Sequence, residues 1–529
     1  MIPSRTVCAT LCLGVFASFI AHCGSSTTTN DAGTDASMVS DTGTDASSMD
    51  VSTDVAMEAN PCASAPTLTY YVNTSTGDDT NSGAGPTCAF KTITAALTAS
   101  AGATHDNATI NVAAGTYGAG ETFPLIVNHG RSLVGAGAST TSIQGSSSTY
   151  TTTGTGSFLD TGTHFLTLLV GDVLGGSNSL GATTISGVTV LPATSITTPT
   201  TNYLGMVCLA GNAPNTGAVL PLPTPSLIMS GVTVGPNFDT GVTLAYETTP
   251  AAACNAVITG STMTGSNTGL ITGGCGGATN PSTSWSSAQV GDGTSANANT
   301  FAASVVDVLG SGCGSIQSIN TNHFASGYRG IVLISNAGQY FEILGNTFTG
   351  STVALPMGIG INTNAAAVIS KLNGNTFSSI SETAVADTAV GATTGYAIAF
   401  GGTSILQAHA NVISDNDNGI LLSAAPANTF DFSADGVTAD ANQIFCNSKP
   451  PSPPVGIANG YDVVLSYTSG LAANANFAGN VWDDSVPTTS VSLTASTNGT
   501  DIVTGTSLGA TTTGGSATGS SCTGGRVHQ

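Results

Sequence analysis

Between Thr69 and Gly145 short apolar runs alternate with clusters of Gly, Asn, Asp and Ser. Ile110 and Val112 alternate with polar residues, Gly115 breaks the run, Leu125 to Val127 form the next apolar stretch, and Leu133 is soon followed by Gly-Ala-Gly. Period-two runs of three to five residues bounded by turn formers predict short strands, each with one buried face. One segment departs from this rhythm. In PTCAFKTITAAL, Ile93, Ala96 and Leu97 fall at helical spacing behind Thr92, which predicts a short helix with Thr92 as its N-cap. Further along, the strand pattern repeats imperfectly. TISGVTV around Val188 returns as IMSGVTV around Val232, and an Asn-led signature recurs at Asn322, Asn346, Asn375, Asn411, Asn442 and Asn480. The signature spacings run from 24 to 38 residues, too irregular for a propeller or a leucine-rich array. They suit coils of one turn each with loops of variable length. Asparagines at such corners are expected at bends in the left-handed region, with their amides bonding along the stack.

The order of these pieces resembles the domain of unknown function that opens many bacterial pectin-lyase-like proteins. The resemblance is carried by TYYVNTSTGDDTNSGAGPTCAFKTITAAL, ATINVAAGTY and ETFPLIVNHGRSLVGAGASTTSIQG, and near the end by FAGNVWDDSVPT. It implies an all-β chain folded as a right-handed parallel β-helix, with the short helix covering the first coil. The opening module covers about 65–145, and the β-helix as a whole 61–504. At about 25 to 35 residues per coil, roughly 12 to 17 coils are expected. Residues 146–200 are the least regular.

Composition agrees with a solenoid. Only 7% of the 529 residues are charged, 67 are Gly, and 40% are hydrophobic, enough for a continuous core but not for several compact domains with charged shells. Formal net charge is −22. Nucleic acid as a partner is excluded by the scarcity of Lys and Arg, and a polyanionic glycan would be repelled unless Ca²⁺ bridged it to the protein.

Residues 1–23 carry Arg5, an apolar run and Cys23, which reads as an export signal too short for a span of about 20 residues. Ile20-Ala21-His22-Cys23 resembles the bacterial lipoprotein box, with His22 where a small residue is usual; the resemblance implies lipidation of Cys23. Residues 24–60 hold seven acids, no Lys or Arg and no aromatic residue, and read as a disordered linker. Residues 505–529 are a Gly/Ser/Thr-rich tail. Eight further cysteines, Cys62, Cys88, Cys208, Cys254, Cys275, Cys313, Cys446 and Cys522, are even in number and contain no CxxC pair. Disulfides are the expectation in an exported chain. Pairing in sequence order is one arrangement among many; Cys62 with Cys88, flanking the first segment, is the best supported.

Candidate chemistry is sparse. The Asp-Asp, Gly-His-Gly and Arg-Ile-Lys set of polygalacturonases is absent, and Asp78-Asp79 and Asp483-Asp484 read as turns. His105, His129, His164, His323 and His409 form no metal motif. The GTSLG around Ser507 lacks the strand-turn-helix setting of a nucleophile elbow. Arg329 and Lys371 are the basic residues of the central coils and the candidate bases of a lyase. Asp415 and Asp417 are candidate oxygen donors to Ca²⁺. The sequence therefore reads as an exported, surface-anchored lipoprotein of the bacterial envelope, outer-membrane-anchored or extracellular. Its expected role is non-catalytic binding or display, as a monomer, with a polysaccharide or a cell-surface protein as partner. The alternative is a Ca²⁺-dependent polysaccharide-lyase-like enzyme.

Overall fold

The computed structural model describes Cys62 and residues 68–101, 107–128, 130–151, 163–171, 181–209, 225–248, 251–272, 286–303, 305–311, 314–325, 329–335, 341–351, 357–363, 369–380, 395–402, 405–424, 429–434, 438–447, 462–465, 474–482, 489–490, 502–504, 510–511, 516–517 and 522. The chain divides into two units, Met1–Ala63 and Ser64–Gln529. In the first, Cys62 is disulfide-bonded.

The second unit is a right-handed parallel β-helix. Its described strands form three long sheets of 14, 13 and 14 strands, and the chain visits them in rotation. The first sheet runs from Thr69–Val72 to Ala510–Thr511, the second from Gly115–Tyr117 to Ser516–Ala517, and the third starts at Leu125–Val127. Successive strands of a sheet pair in parallel, one coil apart, as a crossover connection requires. Two described pairings are antiparallel: Tyr150–Thr151 against Thr163–Val170, and Tyr246–Thr248 against Ala251–Ala253. Among the described residues no helix is long and apolar enough to cross a membrane.

The short helix α1 spans Ile93–Ala99 and buries Ile93, Ala96 and Leu97. Thr92 is its N-cap, its side chain accepting from the Ala95 N–H at 3.1 Å. Two carboxylates finish that end. Asp79 accepts the Lys91 and Thr92 N–H groups, each at 2.8 Å, and Glu121 accepts those of Ile93 and Thr94 at the same distance. The amides that a helix start leaves unpaired thus have partners, and the apolar face of the helix seals the first coil.

Inward positions stack into columns. On the second sheet Phe301, Phe324, Phe348 and Phe377 lie in register on consecutive strands, with ring centroids 5.1, 4.6 and 4.6 Å apart and nearly parallel planes. The column continues through Ile413 and Ile444 to fully buried Trp482. Stacked rings at the strand repeat combine large burial with offset ring contact.

In the later coils the corner between the first and second sheets holds a buried asparagine, whereas the earlier coils carry Val188, Val232 and Ser261 there. Asn346 donates from Nδ2 to Asn375 Oδ1 at 3.0 Å, and its backbone N–H reaches the same oxygen at 2.9 Å. Nδ2 also donates to the Ile319 carbonyl. The arrangement recurs from Asn299 through Asn322, Asn346, Asn375, Asn411 and Asn442 to Asn480. At five of these corners the left-handed residue is not the asparagine, contrary to the sequence expectation, but the one before it: Thr321, Gly345, Gly374, Ala410 and Gly479 all have positive φ. That residue makes the bend, and the asparagine after it turns its amide inward.

Cys208–Cys254 and Cys446–Cys522 are disulfide-bonded, and so is Cys88. Cys275 and Cys313 lie outside the described residues. The solenoid also runs past the boundary expected at 504. Ala510–Thr511 and Ser516–Ala517 pair with the preceding coil, and the bond from Cys522 to Cys446 ties that segment to the body.

Candidate functional site

The strand register sorts the outward side chains of the first sheet into two rows. Gln289, Ser318, Glu342, Lys371, Gln407, Asp431 and Asn476 are direct neighbours on seven successive strands. Asn320, Leu344, Asn373 and His409 form the parallel row two residues on. At a strand spacing of about 4.8 Å the longer row extends about 29 Å. The preceding coils carry Ser132, Thr184, Ile228 and Val257 at the same positions, so the long polar side chains are confined to the later coils.

Charge within the rows is nearly compensated. Lys371 Nζ lies 3.4 Å from Glu342 Oε1, with the lysine side chain 41% exposed and the glutamate 18%. Asn373 Oδ1 accepts the His409 N–H at 3.1 Å, which links the second row across two coils. Hydrogen-bonding groups at regular steps on a rigid sheet can engage the hydroxyls of an extended chain. The rows offer no pair of converging carboxylates and no nucleophile activated by a base.

The predicted site residues do not converge. Lys371 lies in the row just described. Arg329 opens a strand of the third sheet, between Val306 and Met357 in register, and does not share the face of Lys371. Asp415 and Asp417 occupy the corner between the second and third sheets. There Asp415 takes φ 57° and Asp417 is buried. Between them Asn416 turns inward, accepting the Ile380 N–H and donating to the Phe377 carbonyl and Asn447 Oδ1. Among the described residues no three His, Cys, Asp or Glu side chains come together as a metal-binding group. Asp79 serves the helix cap. Cys23, Asp483-Asp484 and Ser507 lie outside the described residues.

Sequence reasoning missed Glu342, Gln407 and Asp431, and placed His409 only among histidines that form no metal motif. The signal was present in the Asn signature. Ser318, Glu342, Lys371, Gln407 and Asn476 each stand four residues before a ladder asparagine, and Asn320, Leu344, Asn373 and His409 stand two before. Gln289 and Asp431 escape that rule, standing ten and eleven positions before Asn299 and Asn442.

The family described as "Protein of unknown function (DUF1565)" matches residues 75–281. The match ends before Gln289, so the polar rows lie beyond it. No curated protein matches the chain. Among solved structures, the A-module of the mannuronan C-5 epimerase AlgE6 of Azotobacter vinelandii is similar at 14% identity and TM-score 0.37, over 80% of this chain and 92% of that one. A likeness of this degree carries no implication of a shared reaction.

Proposed function

We propose that this protein is an exported envelope lipoprotein, lipidated at Cys23, whose β-helix binds a polysaccharide without cleaving it. The observation that carries the reading is the double polar row on the outer face of the first sheet, from Gln289 to Asn476. A proton-abstracting lysine must present an unprotonated amine, and a carboxylate at ion-pair distance is the wrong neighbour for that role. Arg329 lies on another sheet and offers Lys371 no assistance. The acidic stretch 24–60 supports a flexible leash between anchor and solenoid.

The test is to incubate the mature protein with acidic and neutral polysaccharides in the presence of Ca²⁺. Unsaturated product is followed by absorbance, and retained polymer by pull-down. Retention without product is the expected result. Product formation that disappears on chelation would establish the lyase alternative instead. Mass spectrometry of the mature N-terminus should find a diacylglyceryl-modified Cys23; an unmodified N-terminus would remove the anchor from the proposal.

A further inference from the structure

We infer that the polar rows take an uncharged polysaccharide and discriminate against uronate polymers. The inference rests on the binding role proposed above and names the chemistry of its ligand.

Three observations converge. First, the long row has one ammonium, Lys371, and Glu342 already faces it at 3.4 Å. A polymer carboxylate would have to compete with Glu342 and also approach Asp431, two rungs further along the same row. Second, the whole chain carries a formal charge of −22, and its repulsion would oppose the approach of a polyanion at any face. Divalent bridging would relieve that repulsion, yet among the described residues no group of metal-binding side chains comes together. Third, apart from Leu344 and His409, the remaining positions are amides and a hydroxyl: Gln289, Ser318, Asn320, Asn373, Gln407 and Asn476. Each amide offers both a donor and an acceptor, the pairing that a sugar diol reciprocates. A neutral chain of hydroxyl-bearing sugars meets no repulsion here and leaves the Glu342–Lys371 pair intact.

Affinity electrophoresis of the full mature chain tests this. The gels contain a neutral β-glucan or galactomannan on one side, and polygalacturonate or alginate on the other, without and with Ca²⁺. The probe variant is Asn373→Ala with Gln407→Ala, which removes two outward amides and leaves the inward columns untouched; circular dichroism confirms its fold. The expected result is retardation by a neutral polymer, weakened roughly tenfold in the double variant, as two neutral hydrogen bonds imply, and none by the uronates. Retardation by a uronate polymer that the double variant abolishes would overturn the preference for neutral chains and leave the binding face standing. Retardation that the double variant does not change, or none by any polymer, would overturn both.

Discussion

Asn375 shows how much one side chain carries in this fold. Its Oδ1 accepts two hydrogen bonds from Asn346, and its Nδ2 donates to the carbonyls of Ile343 and Asn373 and to Asn411 Oδ1. Asn375 itself is fully buried, so truncation leaves ladder partners that water cannot reach. Asn375→Ala should destabilise by roughly 2–4 kcal/mol in denaturant unfolding; a loss within experimental error would show that the ladder is ornamental. Asp307 is the opposite case. It stands on the third sheet at the strand position held by Gly241 and Gly269 in the preceding coils, where an added Cβ would lie 2.7 and 2.5 Å from the next carbonyl oxygen. Burial pushes its carboxyl well above the usual carboxylate range, opposed in part by the Ala303 N–H it accepts at 2.6 Å. The folded state therefore keeps a proton that the unfolded chain releases near pH 4. Stability falls as pH rises from there through the raised folded value, and levels off above it. Asp307→Asn keeps the acceptor and should remove this component, gaining roughly 1–3 kcal/mol where the native carboxyl is ionised. Superimposable pH profiles for the two proteins would contradict this. The stacking of the Asn375 amide was legible in the sequence, and the role of Asp307 was not. The recurrence of Asn pointed to stacking amides but placed the left-handed bend one residue late, and nothing local marks Asp307 as a substitute for glycine.

Helix α1 is the clearest case of an element legible in part. Its apolar spacing and the Thr92 cap could be read directly, because both signals are local. Glu121, which holds the Ile93 and Thr94 amides, lies far down the chain and carries no mark of that role. Asp78-Asp79, which reads as a turn in the sequence, also serves the cap: Asp79 fastens Lys91 and Thr92, while Asp78 binds Thr80 in its own turn. Glu121→Ala should cost roughly 1–2 kcal/mol and raise aggregation, because the element that shields the first strand edge loosens. Equal stability and solubility of the variant would mean that apolar contact alone holds the helix. The strands of the three sheets were legible wherever alternation is strict. Their outward rows were not, since irregular loops hide the register until each coil is aligned on its ladder asparagine.

Across the whole molecule the later coils differ from the earlier ones on one face. Residues matched to the family of unknown function end at 281, and the long polar side chains begin at Gln289. The match therefore covers earlier coils, and the polar rows lie outside it, where a fold-level resemblance had no means to supply them. The most direct test uses the three lysines, Lys91, Lys371 and Lys449, as reporters. Lys371 lies within the row and Lys91 is exposed beside the capping helix. Acylation of each amine is followed by mass spectrometry with and without a saturating neutral polysaccharide. The account predicts that the polymer slows labelling of Lys371 several-fold and leaves Lys91 unchanged. Equal rates at Lys371 with polymer demonstrably bound would place the binding face elsewhere and contradict it.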